Sequence, residues 1–157
     1  MTSDPAARLL QDRAVLWSIG ELSAHDLVGA ACDALVAGLD SPTLRSLAAL
    51  TRAEAAYDVR ELLPGALDEL GLACPPPGST AGQEAAARVL CRRLLRGELS
   101  PRALAFWAHR SHGHELPLTA RLAELDDAYD LTEYGDSTVA ELDAEVTAEA
   151  RRLSAGS

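Results

Sequence analysis

Four metal-capable side chains, His109, His112, His114 and Glu115, fall within seven residues in the segment "FWAHRSHGHE". Neutral imidazoles suit zinc-class ions, and His112 and His114, on either side of Gly113, can face the same way in an extended turn. Three imidazoles and one carboxylate would complete a tetrahedron, although all four donors are local and no distant ligand is evident in the sequence. Metal-free roles compete with this one. Imidazoles at the end of a helix are favoured by the C-terminal dipole without any ion, and groups that protonate near neutral pH can form a pH-responsive contact with a partner. Phe106 and Trp107, just upstream, read as core or core-edge anchors.

A second concentration of chemistry follows in "ELDDAYDLTEYGD", Glu124 to Asp136. Leu118, Leu122, Leu125 and Tyr129 recur at helical spacing and predict a buried stripe on a helix opened by Pro117. At about 100° per residue, Asp126, Asp130 and Glu133 share a flank of that stripe while Asp127 points elsewhere. After Gly135, Asp136 or Ser137 is the expected cap of a last helix that turns Val139, Leu142, Val146 and Leu153 inward, with Glu141, Glu145 and Glu149 four apart on its surface. Residues 115 to 149 hold eleven acids against Arg121 alone, a net charge of −10. Residues 88 to 110 reverse the sign, with six arginines against Glu98. There Arg88, Arg92 and Arg96 form a row opposite a core face of Ala87, Leu90, Cys91 and Leu94. The arginine row either folds against the acids or is solvated, or else the acids form a docking face that steers a basic protein.

The spelling "DDAYD" resembles the DDxxD motif of trans-prenyltransferases and terpene cyclases, in which carboxylates hold magnesium and diphosphate. The resemblance covers five residues. It lacks the second metal motif, the basic cluster for diphosphate and the large bundle that such enzymes need, so magnesium catalysis is not the expected activity.

The elements that must position these groups are helical throughout. The chain of 157 residues is the size of one ordinary domain and is 48% hydrophobic and 24% charged, a globular composition. Helical periodicity fills the segments between breakers, and no strand-length alternation occurs. Pro5 after Asp4 starts a helix with Leu9, Leu10, Leu16 and Trp17 on one face. Ser23 with Asp26, and Thr51 with Glu54, spell caps. Pro64 must kink its helix or begin a new one. "CPPPGSTAG", residues 74–82, is the clearest linker between two helical halves.

Residues 23–50 align without gaps on residues 82–109 at an offset of 59, matching Cys32 with Cys91, Leu35 with Leu94, Gly38 with Gly97, and Ser41-Pro42 with Ser100-Pro101. Duplication would give this pattern, and so would the ordinary chemistry of joining two helices by a glycine stop and a Ser-Pro start. Either way the expectation is an all-α, compact single-domain bundle of about six to eight helices over residues 1–157. It is built around two similar αα-hairpins, with Cys32, Leu35, Cys91 and Leu94 inward and Cys74 exposed.

Charge narrows the partner classes. A formal net charge of −10, with all 14 basic side chains being arginine, repels nucleic-acid backbones and anionic membranes. "TLRSLAALTRAEAAYDVRELL" has the look of a helix-turn-helix, so a DNA-binding regulator is a competing class. Its second helix sets Arg52 and Arg60 against Glu54, Asp58 and Glu61, the wrong balance for a phosphate surface. The start lacks the features of a secretory signal, no run approaches the roughly 18 apolar residues of a membrane span, and three scattered cysteines indicate no disulfide framework, so a cytoplasmic location is expected.

"ELDDAYDLTEYG…TVAELDAEV" resembles small acidic all-helical actinobacterial proteins of uncharacterised activity, over about the last forty residues; the resemblance implies no activity. A looser similarity links small acidic helical chains to immunity proteins that block basic nuclease toxins. The expected function is therefore non-enzymatic binding of a basic protein, of immunity or antitoxin type, needing no cofactor. Asp126, Asp130, Glu133, Glu141 and Glu145 would supply the field and Tyr129 or Tyr134 an anchor. The alternative is a metal-dependent enzyme or sensor on His109, His112, His114 and Glu115.

Overall fold

The breakers seen in the sequence set most of the element boundaries. The computed structural model describes residues 4–156. Among them are eight α-helices, with no strand: α1 (Pro5–Ser18), α2 (Ala24–Val36), α3 (Pro42–Ala48), α4 (Arg52–Glu69), α5 (Thr80–Leu95), α6 (Pro101–His112), α7 (Ala120–Asp130) and α8 (Val139–Ala155), with a 3-10 turn at Pro117–Thr119. None is long and apolar enough to cross a membrane. The all-helical fold expected from periodicity is therefore the fold observed.

The chain divides into two compact units, Met1–Ala86 and Ala87–Ser157. The division falls inside α5, beyond the Pro-rich segment. In the first unit α1 packs on α2, α2 on α3 and α4, and α3 on α4. Leu10, Leu27, Leu44, Leu47, Val59 and Leu63 are buried in a core shared by these four helices, with Trp17 half-buried against it. Each such side chain contributes roughly 1.5–3 kcal/mol through the apolar area it removes from water. In the second unit α6 packs on α7 and α8, and α7 on α8, burying Leu104, Leu122, Leu125, Leu142 and Val146. Trp107 is half-buried on α6.

Local chemistry explains the caps. Ser23, Ser41, Thr51 and Ser100 each accept a hydrogen bond from the backbone N–H three residues on, and Glu54 returns the bond at Thr51 to complete a capping box. This holds the Glu54 carboxyl below its ordinary pKa. The two glycine stops repeat each other bond for bond. The N–H groups of Ala37, Gly38 and Leu39 donate to Asp33, Leu35 and Ala34, and those of Arg96, Gly97 and Glu98 donate to Arg92, Leu94 and Arg93. Gly38 (φ 104°) and Gly97 (φ 79°) adopt the left-handed conformation that such an ending requires.

Of the two outcomes expected at Pro64, a new helix does not occur: α4 runs from Arg52 to Glu69 with Pro64 inside it and exposed. Several other expectations change. Cys32, expected inward, is exposed, and its thiol reaches the Ala48 carbonyl at 3.4 Å; Leu35 is half-buried, whereas Cys91 and Leu94 are buried as expected. Leu9 is exposed, leaving Leu10 and Leu16 as the buried residues of the expected α1 face. Thr138, not Asp136 or Ser137, caps α8 by accepting from the Glu141 N–H at 3.1 Å. That start places Val139 at the first helical position, where it is exposed, while Leu142, Val146 and Leu153 remain inward.

The segment expected to be a linker is structured. The Pro76 carbonyl accepts from both the N–H and the hydroxyl of Ser79, and Ser79 Oγ accepts from the Gly82 N–H. Gly82 is buried there, and a Cβ on it would collide with the Pro76 carbonyl. Cys74, expected exposed, is half-buried, and burial raises its thiol pKa.

Candidate functional site

The charged groups of the second unit meet along the seam between α6 and α7. Ser100 and Pro101 start α6, which turns Leu104, Ala105 and Ala108 inward. Its flank then offers Arg102, Phe106 and His109 to the Asp126–Asp130 flank of α7. Arg102 lies 3.5 Å from Asp130, and its guanidinium stands 5.2 Å from the Tyr129 ring centre. One to two turns further along α6, His109 Nδ1 lies 2.9 Å from Asp126 Oδ2 and 3.6 Å from Asp127 Oδ1. Ser100, Arg102, Ala103, Phe106, Asp126 and Asp130 line a cleft of about 410 Å³ on this seam.

The end of α6 splits the histidine cluster. Gly113 (φ 55°, ψ −138°) lets the chain turn back, a conformation costly to a residue with a Cβ. This returns the His114 ring to within 4.9 Å of the His109 ring, centre to centre, and puts His114 Nε2 3.1 Å from Asp127 Oδ2. His112 instead lies edge-on to Trp107 at 5.3 Å; its Nε2 is buried without a hydrogen-bond partner, and burial lowers its pKa. Of the four residues expected to form a metal site, His109 and His114 come together and His112 and Glu115 are not part of the group. Asp127 joins the pair: one donor atom from each of His109, His114 and Asp127 lies within 4.8 Å of the others. In the sequence Asp127 stands apart because it leaves the Asp126 row. That same 100° offset is what brings it under His114.

The acidic rows also divide. Asp126 and Asp130 are engaged by α6, and Arg121 bridges Glu124 at 3.2 Å and Glu145 at 3.5 Å, linking α7 to α8. Glu149 receives Arg152 Nε at 3.0 Å. Arg93 and Arg96 go to Glu98, at 3.5 and 3.2 Å. Exposed pairs of this kind contribute only about 0–1 kcal/mol each, but they reduce the field expected from Asp126, Asp130 and Glu145. Glu133 lies beyond the end of α7, so the three-acid helical row stops at two. Among the described residues, Glu133, Asp136 and Glu141 have no ion-pair partner.

The two candidate tyrosine anchors have opposite fates. Tyr129 is buried, and its hydroxyl donates to Asp143 Oδ1 at 2.5 Å. Burial, reinforced by Asp143, pushes its pKa up. Tyr129 therefore ties α7 to α8 and leaves the candidate surface. Tyr134 is 85% exposed in the connection between those helices, flanked in sequence by Leu131 at 59% and Val139 at 47%. Helical spacing does not single out Leu131 and assigns Val139 to the core; both are exposed because Leu131 is the C-cap of α7 and Val139 the first residue of α8, where the buried stripes stop.

In the first unit, α3 and α4 pack together across the short link at 49–51, as a helix-turn-helix would. The exposed groups of α4 are of mixed sign, with Arg52 and Arg60 beside Glu54 and Glu61, and add no support for phosphate binding. A cleft of about 860 Å³ lined by Leu9, Leu10, His25, Cys32 and Asp33, among others, opens on the same unit. Comparison with known proteins finds no matching family model, no matching curated protein and no matching solved structure.

Proposed function

We propose that this chain is a non-enzymatic protein-interaction module that docks a basic protein through the connection between α7 and α8, with inhibitory capture of immunity or antitoxin type as its concrete form. The observation that carries this reading is the exposure of Tyr134, Leu131 and Val139 in a segment that also bears Glu133, Asp136 and Glu141, which have no ion-pair partner among the described residues. Aromatic and aliphatic anchors gain most when a partner covers them and excludes water. Carboxylates around them steer a cationic surface into register and reject anionic ones. The surface is narrower than the sequence suggests, since Asp126, Asp130 and Glu145 already have partners and Tyr129 is buried. A cytoplasmic setting belongs to the same reading, because three free thiols suit a reducing compartment.

The test is affinity capture from native lysate with the wild-type chain, Tyr134→Ala and the double variant Glu133→Arg/Glu141→Arg. The reading requires a captured protein of basic composition whose binding weakens with salt and falls by about 30-fold or more on Tyr134→Ala, the loss of an aromatic hot spot. Capture that is equal in all three proteins would refute it.

A further inference from the structure

The end of α6 supports an inference independent of the docking surface. We propose that His109, His114 and Asp127 form a binding site for a zinc-class divalent transition-metal ion, with Asp126 as the carboxylate that positions His109. The donor set points to that class of ion. Two imidazole nitrogens and one carboxylate oxygen suit zinc and its neighbours, whereas magnesium and calcium prefer oxygen alone. Three protein ligands with a fourth position left to water or a bound molecule is the pattern of an open zinc site.

Geometry supports the assignment. The three donors lie within 4.8 Å of one another. Ligands around a tetrahedral zinc, each about 2.0–2.2 Å from the ion, stand roughly 3.3–3.6 Å apart. The required closure is at most about 1.2–1.5 Å, and the side chains that must move, His114 and Asp127, are exposed. The helix end supplies preorganisation. His109 is fixed on the last turns of α6, Gly113 turns the chain so that His114 returns to it, and Asp127 is held on α7, which packs on α6. Asp126, with a largely buried side chain, accepts a hydrogen bond from His109 Nδ1–H at 2.9 Å in the tautomer that protonates this nitrogen, which leaves Nε2 as the His109 nitrogen that would ligate the ion. A carboxylate on a ligating histidine fixes the ring orientation and raises its basicity toward the metal. The site also recruits a ligand distant in sequence, which the purely local set of His109, His112, His114 and Glu115 lacks.

The experiment uses the full-length chain stripped with a chelator and titrated with Zn²⁺ in competition with a chromophoric chelator. In parallel, Co²⁺ serves as a spectroscopic probe. The expected result is one Zn²⁺ per chain and visible Co²⁺ bands without a thiolate charge-transfer band. Affinity should fall about 100-fold or more in His114→Ala and in Asp127→Asn, and by roughly 10–100-fold in Asp126→Asn. His112→Ala, Glu115→Gln and His25→Ala should bind Zn²⁺ as the wild type does. Far-UV circular dichroism checks that each variant remains helical; His114 and Asp127 are exposed, so their substitution leaves the core intact. Unchanged binding in His114→Ala and Asp127→Asn would overturn the proposal. So would loss of binding in His112→Ala or His25→Ala, or a thiolate band placing the ion on a cysteine.

Discussion

The joints at Gly38 and Gly97 are built from the same three hydrogen bonds and the same Ser-Pro restart, yet the helices they connect bury different faces. Cys32 is exposed and its counterpart Cys91 buried; Leu47 is buried and its counterpart Phe106 is 54% exposed. The joint is a local device, fixed by a residue that tolerates positive φ and by a hydroxyl that reaches three residues ahead. Which face turns inward is decided by neighbours that the joint does not encode. The helix after the joint is α3 in the first unit, packed by α2 and α4, and α6 in the second, packed by α7 and α8. Like joints with unlike surroundings therefore separate local from tertiary contributions to stability.

The largest effect should come from the tertiary side. Leu47→Ala should cost about 2–5 kcal/mol, the range for a leucine removed from a packed core, while Phe106→Ala at the matched position should cost less than about 1 kcal/mol. Chemical denaturation of the two variants checks this, and equal losses would break the comparison. The local side should instead be symmetrical. Gly38→Ala and Gly97→Ala each place a Cβ where no atom lies within 4 Å, so only the backbone conformation resists, at about 1–2 kcal/mol in both. A difference above about 0.5 kcal/mol would show that the joints are not equivalent.

The caps come next. Ser41→Ala and Ser100→Ala should each lose about 1 kcal/mol, with the larger loss at Ser41, where the hydroxyl and the N–H it serves are buried. A last effect is silent at neutral pH and appears only in stability at high pH. Burial, with Glu149 nearby, pushes the Cys91 thiol up from 9.0 to about 12. Its thiolate is thus disfavoured in the folded state, and the associated stability is fully present below pH 9 and lost as pH rises through about 12. Iodoacetamide should accordingly label Cys32 in the native protein and Cys91 only after unfolding, while Cys91→Ser should flatten the alkaline decline. Labelling of Cys91 at the rate of Cys32 would contradict its burial.

Legibility from the sequence follows the same division. Helix identity, most caps, both glycine stops and the Leu122–Leu125–Tyr129 stripe are local or periodic, and residue types reveal them. The partners of the charged groups on the α6–α7 seam are not local. Arg102 meets Asp130 and His114 meets Asp127 only because α6 and α7 pack side by side and Gly113 reverses the chain. Tyr129 illustrates the difficulty within one residue: its spacing puts it on the buried stripe, its ring suggests a surface anchor, and the hydrogen bond to Asp143 decides for the interior. Thr138 is hard to single out as a cap because Asp136 and Ser137 are equally good capping types, and the choice depends on where α8 can start while keeping Leu142 and Val146 inward.

The chain's two tryptophans fall one to a unit, Trp17 half-buried against the first core and Trp107 half-buried on α6 in the second. Replacing either indole with phenylalanine leaves a single tryptophan whose emission, excited at a wavelength that spares the three tyrosines, reports on one half of the polypeptide. The molecule thus carries its own pair of optical labels, and the melting of each half can be followed without attaching a dye.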